Sequence, residues 1–379
     1  MIDSEAIKKL RKIAKDKEGA RTPFWLHDLL GAIPLVWRIR NILPPPPSRS
    51  APYHVIHTDP LIIIIPEDVY EYPKQWKAFF DILKEKKVYF LCRIRFTVED
   101  QNTLKIMDYY YNSWMKNNYP KFRFVFLANT INELNLLRKH RLHSIYCNQN
   151  CFVDEMLYRP HIITKKYDAV YNARPIPVKN FYLAKSIQNL ALITYFISDT
   201  ERLYFEQLKP ELPNATCLNF GDKKLPSCNI KNYKYIKPED LSKELCKAHV
   251  GLCLSEREGA NYASIEYLLS GLPVVSISSV GGRDVFFDPN HTFIVEKNPE
   301  AVNEAVQHAI SLSLSPMDIR KTTLEKINEH RARFVSLLQE ILNENGQENS
   351  AQEIFEKSFI NRMYRTRPIS DLKTLIQNH

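Results

Sequence analysis

Val250 to Ser276 reads VGLCLSEREGANYASIEYLLSGLPVVS, and its pieces decide the fold. An apolar run from Val250 to Leu254 reads as a buried strand. A turn then carries Glu256, Arg257, Glu258 and Gly259, and a helical stretch follows from Asn261 to Leu269. After Gly271 a second apolar run, Pro273 to Ile277, closes a strand–helix–strand unit. Ile265, Leu268 and Leu269 can face the sheet, while Glu266 lies on another face near the first turns. Glu258 falls in the loop at the C-terminal end of the strand, the edge where open parallel sheets bind ligands. The helix start at Asn261, Tyr262 and Ala263 leaves backbone N–H groups without intrahelical partners and aims the positive end of the dipole into the same crevice. Such a start can accept a phosphate.

Upstream, Asp168 to Ala173 (DAVYNA) reads as a short strand, followed by Arg174 and Lys179 in R-x4-K spacing. Two cations just beyond a strand end can clamp a diphosphate, Arg by its fork and Lys as a point charge. Taken singly, each is equally a surface base, and Glu256 to Glu258 alone reads as a solvated loop. The whole pattern, E-x7-E within strand–loop–helix–Gly-Leu-Pro-Val-Val together with R-x4-K, resembles the donor site of retaining GT-B glycosyltransferases, family 4 in particular. The resemblance implies that Glu258 contacts a donor sugar, that Glu266 contacts a ribose, and that Arg174 and Lys179 neutralise the leaving diphosphate. This chain departs from the family's G-R-x4-K-G element at Ala173 and Asn180.

Ser279 to Asp284 (SVGGRD) matches the family's Gly-Gly turn with its acidic residue, which makes Gly281, Gly282 and Asp284 ligand contacts or purely structural turn residues. Asn150 to Pro160 (NCFVDEMLYRP) resembles the family's interdomain crossing. The resemblance covers Asn150 to Asn343. The first half resembles the family only weakly, lacks the Gly-rich first turn of many relatives and is short for an acceptor domain.

The chain's 379 residues suffice for two α/β domains with cores of their own. Strand candidates at Leu61–Ile65, Val88–Arg93 and Phe122–Leu127 alternate with helices at Tyr72–Lys84, Thr103–Lys116 and Ile131–His140. The alternation resumes with strands near Leu190–Ile197 and Thr216–Leu218, helix Pro238–Ala248 and a long helix from Pro316 to Asn343. The expected organisation is a basic amphipathic extension (1–47), a first Rossmann-like domain (48–160), a donor domain (161–345) and a C-terminal helical tail (346–379). The donor site is expected to come entirely from the donor domain. His54, His57, Arg93 and Arg95 near first-domain strand ends can reach the cleft, but buried or solvated structural roles fit them better.

Seven cysteines without a C-x2-C pair make a metal site improbable and favour a reducing cytoplasm, where the sequons at Asn214 and Asn290 carry no weight. The chain shows no D-x-D pair to hold a cation and no recognised nucleic-acid motif, and no run is apolar enough to span a bilayer. Phe24 to Leu43 mixes Trp25, Trp37 and aliphatic residues with Arg38 and Arg40. A helix in the headgroup region of an anionic membrane and a helix packed on the catalytic domains both fit it. The net charge of +9 agrees with an anionic surface or an anionic donor.

The expected fold is therefore α/β, a GT-B pair of Rossmann-like domains facing a cleft. The resemblance implies a metal-independent, retaining, hexosyltransferase-like enzyme without a resident cofactor. Its donor would be a UDP-, GDP- or ADP-linked sugar and its acceptor a saccharide or lipid-linked saccharide in surface polysaccharide assembly. Its expected place is the cytoplasm or the inner face of the membrane, with no nucleic-acid partner. Glu258, Arg174 and Lys179 are the expected catalytic residues; Glu266, Gly259, Asn261, Tyr262, Ala263, Gly281 and Gly282 are the expected donor contacts. Two alternatives stay open, a GT-B epimerase or phosphorylase and a non-catalytic sugar-nucleotide or polysaccharide binder.

Overall fold

The computed structural model describes residues 50–66, 73–99 and 101–377. The N-terminal segment with Trp25, Trp37, Arg38 and Arg40 lies outside the described residues.

The first sheet contains β1 (Ser50–Thr58), β2 (Leu61–Pro66), β3 (Val88–Arg93), β4 (Phe122–Ala128) and β5 (Ser144–Tyr146), and β13 (Arg365–Pro368) pairs with its β1 edge. Strands β2 to β5 are parallel, while β1 runs antiparallel to both β2 and β13. β2 and β3 are buried along their whole length, as continuous apolar runs in parallel sheets should be. Their alternate residues divide between two layers. Ile63, Ile65 and Phe90 pack with Trp76, Phe79 and Phe80 of α1 (Pro73–Leu83) and with Leu104 and Met107 of α2 (Gln101–Tyr109). Ile62, Ile64 and Leu91 belong instead to a cluster with Phe334, Leu338 and Leu342.

The second sheet has the order β12-β11-β10-β6-β7-β8-β9. It comprises β6 (Tyr167–Asn172), β7 (Leu190–Ile193), β8 (Thr216–Cys217), β9 (Lys223–Lys224), β10 (Ala248–Cys253), β11 (Val274–Ile277) and β12 (Thr292–Val295). Every neighbouring pair is parallel except β8 with β9. From β6 the chain moves outward to β7 and β8, whereas β10, β11 and β12 build out on the other side. The order therefore reverses between β6 and β10, the place where a doubly wound sheet opens a crevice at its carboxyl ends.

The helices that position the site include α3 (Ile131–Lys139), α4 (Asp199–Glu211), α5 (Pro238–Leu245), α6 (Tyr262–Leu269), α7 (Pro299–Ser311) and α8 (Pro316–Glu344). The cluster containing Phe334 and Leu338 of α8 also holds Ile62 and Leu91 of the first domain and Leu268 and Val274 of the second, so α8 braces both, as expected. Two Rossmann-like α/β domains thus face each other, the GT-B arrangement.

The tail differs from the helical segment expected. It forms α9 (Ala351–Ser358), then β13 on the first sheet, then α10 (Ile369–Gln377). The chain therefore returns from the second domain to the first, and Asn361 to Tyr364 passes between them.

Candidate active site

The β6 and β10 strands pair side by side, so the loops beyond their carboxyl ends are neighbours. This brings the Lys179 ammonium against Glu258 Oε1 across seventy-nine positions of sequence. Tyr171 at the end of β6 donates its hydroxyl to the Lys179 carbonyl, and Ser255 Oγ donates to Glu258 Oε1 at 2.5 Å. Burial opposes charge on Glu258. The Lys179 ammonium, the Ser255 hydroxyl and the Arg283 guanidinium outweigh it and hold the carboxyl below its ordinary range.

Asn180, where the family has glycine, stands at φ 49°, ψ 47°. Asn is among the side chains that best tolerate this left-handed conformation, so it serves the turn that glycine would. Its amide also donates to the Leu254 carbonyl at 2.8 Å, anchoring the Lys179 loop to the end of β10. Arg174 pairs with Glu201 Oε1 at 3.3 Å. Glu201 sits in the first turn of α4, where its other oxygen accepts the Ile197 N–H at 2.7 Å.

Glu266 is 1% exposed. Its Oε1 accepts from Arg362 of the tail and its Oε2 from Asn172 Nδ2 at 3.2 Å. Glu266, an expected donor contact, is thus held by the tail as well as by the second domain. Arg362 and Met363 have φ of 64° and 49°, a conformation non-glycine residues avoid, and Met363 is fully buried. Asn361 Oδ1 accepts the Asp154 N–H at 3.0 Å, fixing the segment that carries Arg362.

At the start of α6, Asn261 has φ 55° and its side chain accepts the Ala263 N–H at 3.1 Å. Tyr262 turns its ring under Arg362, 4.5 Å from the guanidinium carbon. The three glycines are placed where chains pass closely. A Cβ on Gly259 would meet the Arg95 carbonyl oxygen at 2.3 Å, and one on Gly282 would meet Asn129 Cβ at the same distance. One on Gly281, whose φ is 107°, would stand 1.7 Å from the Glu258 carbonyl oxygen. Gly259 and Gly282 therefore let the first domain approach, and Gly281 lets the β11 loop lie on Glu258.

Several residues of the site escaped sequence reasoning. Arg283 is fully buried; it pairs with Asp284 at 2.6 Å and donates to the carbonyls of Cys253, Ser255 and Ile277, tying the ends of β10 and β11. A polar seam closes the domains: Asn148 Nδ2 donates to the carbonyls of Asn129 and Gly282, Gln149 to Ile94, and Asn150 to Ala260. Its legible signal was the run Asn148-Gln149-Asn150, whose last residue opens the interdomain crossing. Arg93 donates to Tyr262 Oη at 2.7 Å and to the Arg362 carbonyl at 3.1 Å, so it reaches the cleft. His54 and His57 instead bond locally or to the tail, at the carbonyls of Ser358 and Pro60. Among the described residues, no group of His, Cys, Asp and Glu side chains is placed to hold a metal, and no helix is long and apolar enough to cross a membrane.

Residues 220–326 match the model of glycosyl transferases group 1, a span that includes Glu258, Glu266 and the α6 start but not Arg174 or Lys179. The chain resembles that family over this donor-side segment. Among solved structures, a TarM mutant of S. aureus in complex with fondaparinux, alpha-GlcNAc-glycerol and UDP is 15% identical, with TM-score 0.49 over 73% of this chain and 55% of that one. HepE of Anabaena in complex with UDP is 13% identical, with TM-score 0.49 over 74% and 77%. Sucrose-phosphate synthase of Thermosynechococcus elongatus is 14% identical, with TM-score 0.48 over 71% and 75%. This chain thus spans about half of the TarM chain. No curated protein matches the sequence.

Proposed function

We propose that the protein is a retaining, metal-independent glycosyltransferase that moves a sugar from a nucleoside diphosphate to a saccharide or lipid-linked saccharide acceptor. The observation that carries this is the Lys179–Glu258 pair at the reversal between β6 and β10, with Glu258 inside the segment resembling glycosyl transferases group 1. When the donor is bound, Glu258 accepts from sugar hydroxyls, while Lys179 and Arg174 face the diphosphate. The bond from the anomeric carbon to the diphosphate breaks and the acceptor oxygen bonds to that carbon from the same face. The acceptor proton passes to the departing phosphate oxygen, so no protein nucleophile is needed. Charge grows on the diphosphate as it leaves, which is the charge that fixed cations stabilise best.

The test is a thermal-shift screen of UDP-, GDP- and ADP-sugars, in which the true donor raises the midpoint by mass action, followed by assay of the stabilising donor with and without chelator. Transfer with retained anomeric configuration in chelator supports the reading; loss of turnover in chelator overturns the metal-free part. Stabilisation without any transfer or hydrolysis assigns a non-catalytic binder instead. The setting we propose is cytoplasmic surface-polysaccharide assembly at the inner face of the membrane. Salt-sensitive co-sedimentation with anionic vesicles, lost when residues up to Pro47 are deleted, is the expected result; equal binding to neutral vesicles argues against it.

A further inference from the structure

We propose that Arg93 is a further substrate-binding residue, through which the first domain takes a phosphate of the donor. This rests on the nucleotide-sugar reading above. Four other cations of the site each face a carboxylate: Lys179 faces Glu258, Arg174 faces Glu201, Arg362 faces Glu266 and Arg283 faces Asp284. Arg93 faces none among the described residues. Its neighbours are the Tyr262 hydroxyl, the Arg362 carbonyl and the ring of Tyr364, whose centroid lies 4.0 Å from the guanidinium carbon. Arg93 is nonetheless 2% exposed, and its Nε is buried without a hydrogen-bond partner.

Burying a guanidinium is costly unless an anion accompanies it. Arg93 also stands where an anion is expected. It ends β3 and bonds the first residue of α6, and two residues on the Arg95 carbonyl presses against Gly259 in the loop that leads into that helix. The guanidinium fork of the first domain thus meets the Tyr262 side chain of the second, where the two domains touch. The other charges of the cleft add to the same end, since five cations (Arg93, Arg174, Lys179, Arg283, Arg362) stand against four acids (Glu201, Glu258, Glu266, Asp284) among these residues. A diphosphate would supply the missing negative charge. The Nε atoms of Arg174 and Arg362 are likewise buried without a partner, so what sets Arg93 apart is that no carboxylate among the described residues faces it.

The experiment compares, for the base that stabilises the wild type, binding of the nucleoside, its monophosphate and its diphosphate by calorimetry. Arg93→Gln keeps a donor for Tyr262 without the charge. It should cut the preference for diphosphate over nucleoside about tenfold or more, the loss expected for hydrogen bonds to a charged group. Arg93→Lys should recover part of it. Tyr364→Leu removes the ring that Arg93 stacks on and should lower the melting midpoint while keeping the preference. If Arg93→Gln does not fold, Arg93→Lys is read alone, and an unchanged preference overturns the assignment. A wild-type preference in Arg93→Gln, with only a lowered midpoint, makes Arg93 a tail anchor and overturns this inference while leaving the nucleotide-sugar reading intact. A wild type that binds no nucleoside diphosphate overturns that reading itself.

Discussion

The two edges of the cleft are built on opposite electrostatic plans. On the second-domain edge Lys179 and Arg174 are held by Glu258 and Glu201, so charge is balanced and the loops are locked to the strand ends that carry them. On the first-domain edge Arg93 is buried against a phenol, a carbonyl and a ring, with no acid to match it among the described residues. The contrast teaches that paired cations hold a site together, whereas an unmatched one marks where an anion is needed. The edges meet in the seam of Asn129, Asn148, Gln149 and Asn150, so each prediction below strains an edge or the seam.

The largest effect is expected at Gly281. A Cβ there would stand 1.7 Å from the Glu258 carbonyl at a φ of 107°, so Gly281→Ala should cost about 4 kcal/mol or more in chemical denaturation. A wild-type denaturation midpoint would mean that the β11 loop is free to move away and that the second-domain edge is not locked.

Next comes the seam. His330 of α8 is buried, and its Nδ1 accepts the Asn148 N–H at 3.1 Å. Burial, assisted by Arg333, lowers its pKa from 6.5 to about 4. The unfolded chain therefore binds the proton more readily than the folded one. The stability tied to neutral His330 is present above pH 6.5 and lost as pH falls through 4, about 3 kcal/mol in all. Melting midpoints measured from pH 7.5 to 4 should fall less steeply in His330→Gln; parallel curves would remove His330 from the acid response.

Lys179→Met and Arg174→Ala should each lower kcat by about 100-fold with the true donor, more than they raise KM, because the charge they face grows in the transition state. Turnover equal to wild type in both would break the clamp assignment. The smallest effect concerns Glu266 and Arg362. Each single change to Ala should weaken nucleotide binding, and the double variant should show a coupling of about 1–2 kcal/mol in a binding cycle. Additive losses would mean that the two act on the ligand separately and not through their ion pair.

How much of this was legible depended on how local the cause was. Val88–Arg93 emerges with the bounds read from sequence and Val274–Ile277 within one residue of them, because a strand buried on both faces must be apolar throughout. β13, RTRP, had no such mark: an exposed edge strand carries charge and proline and resembles a loop. The β6 and β10 loops could be joined on paper because the strand–helix–strand pattern implies a parallel sheet, and their neighbouring ends carry Lys179 and Glu258. Asn180 reads as a departure from glycine until its left-handed φ shows that it performs the same turn.

The sequence by itself determined the second domain's alternation of elements and the placing of Glu258, Glu266, Arg174 and Lys179 at strand and helix ends, since periodicity and turn chemistry act within a few residues. Only the tertiary structure decided that Glu266 is held by Arg362, ninety-six positions away, and that Arg93 meets Tyr262 across 169. The first contact depends on the tail crossing from one domain to the edge of the other's sheet, and the second on the packing of the two domains. No local pattern encodes them, because a side chain's own neighbours in sequence do not specify which distant segment the packing will bring against it.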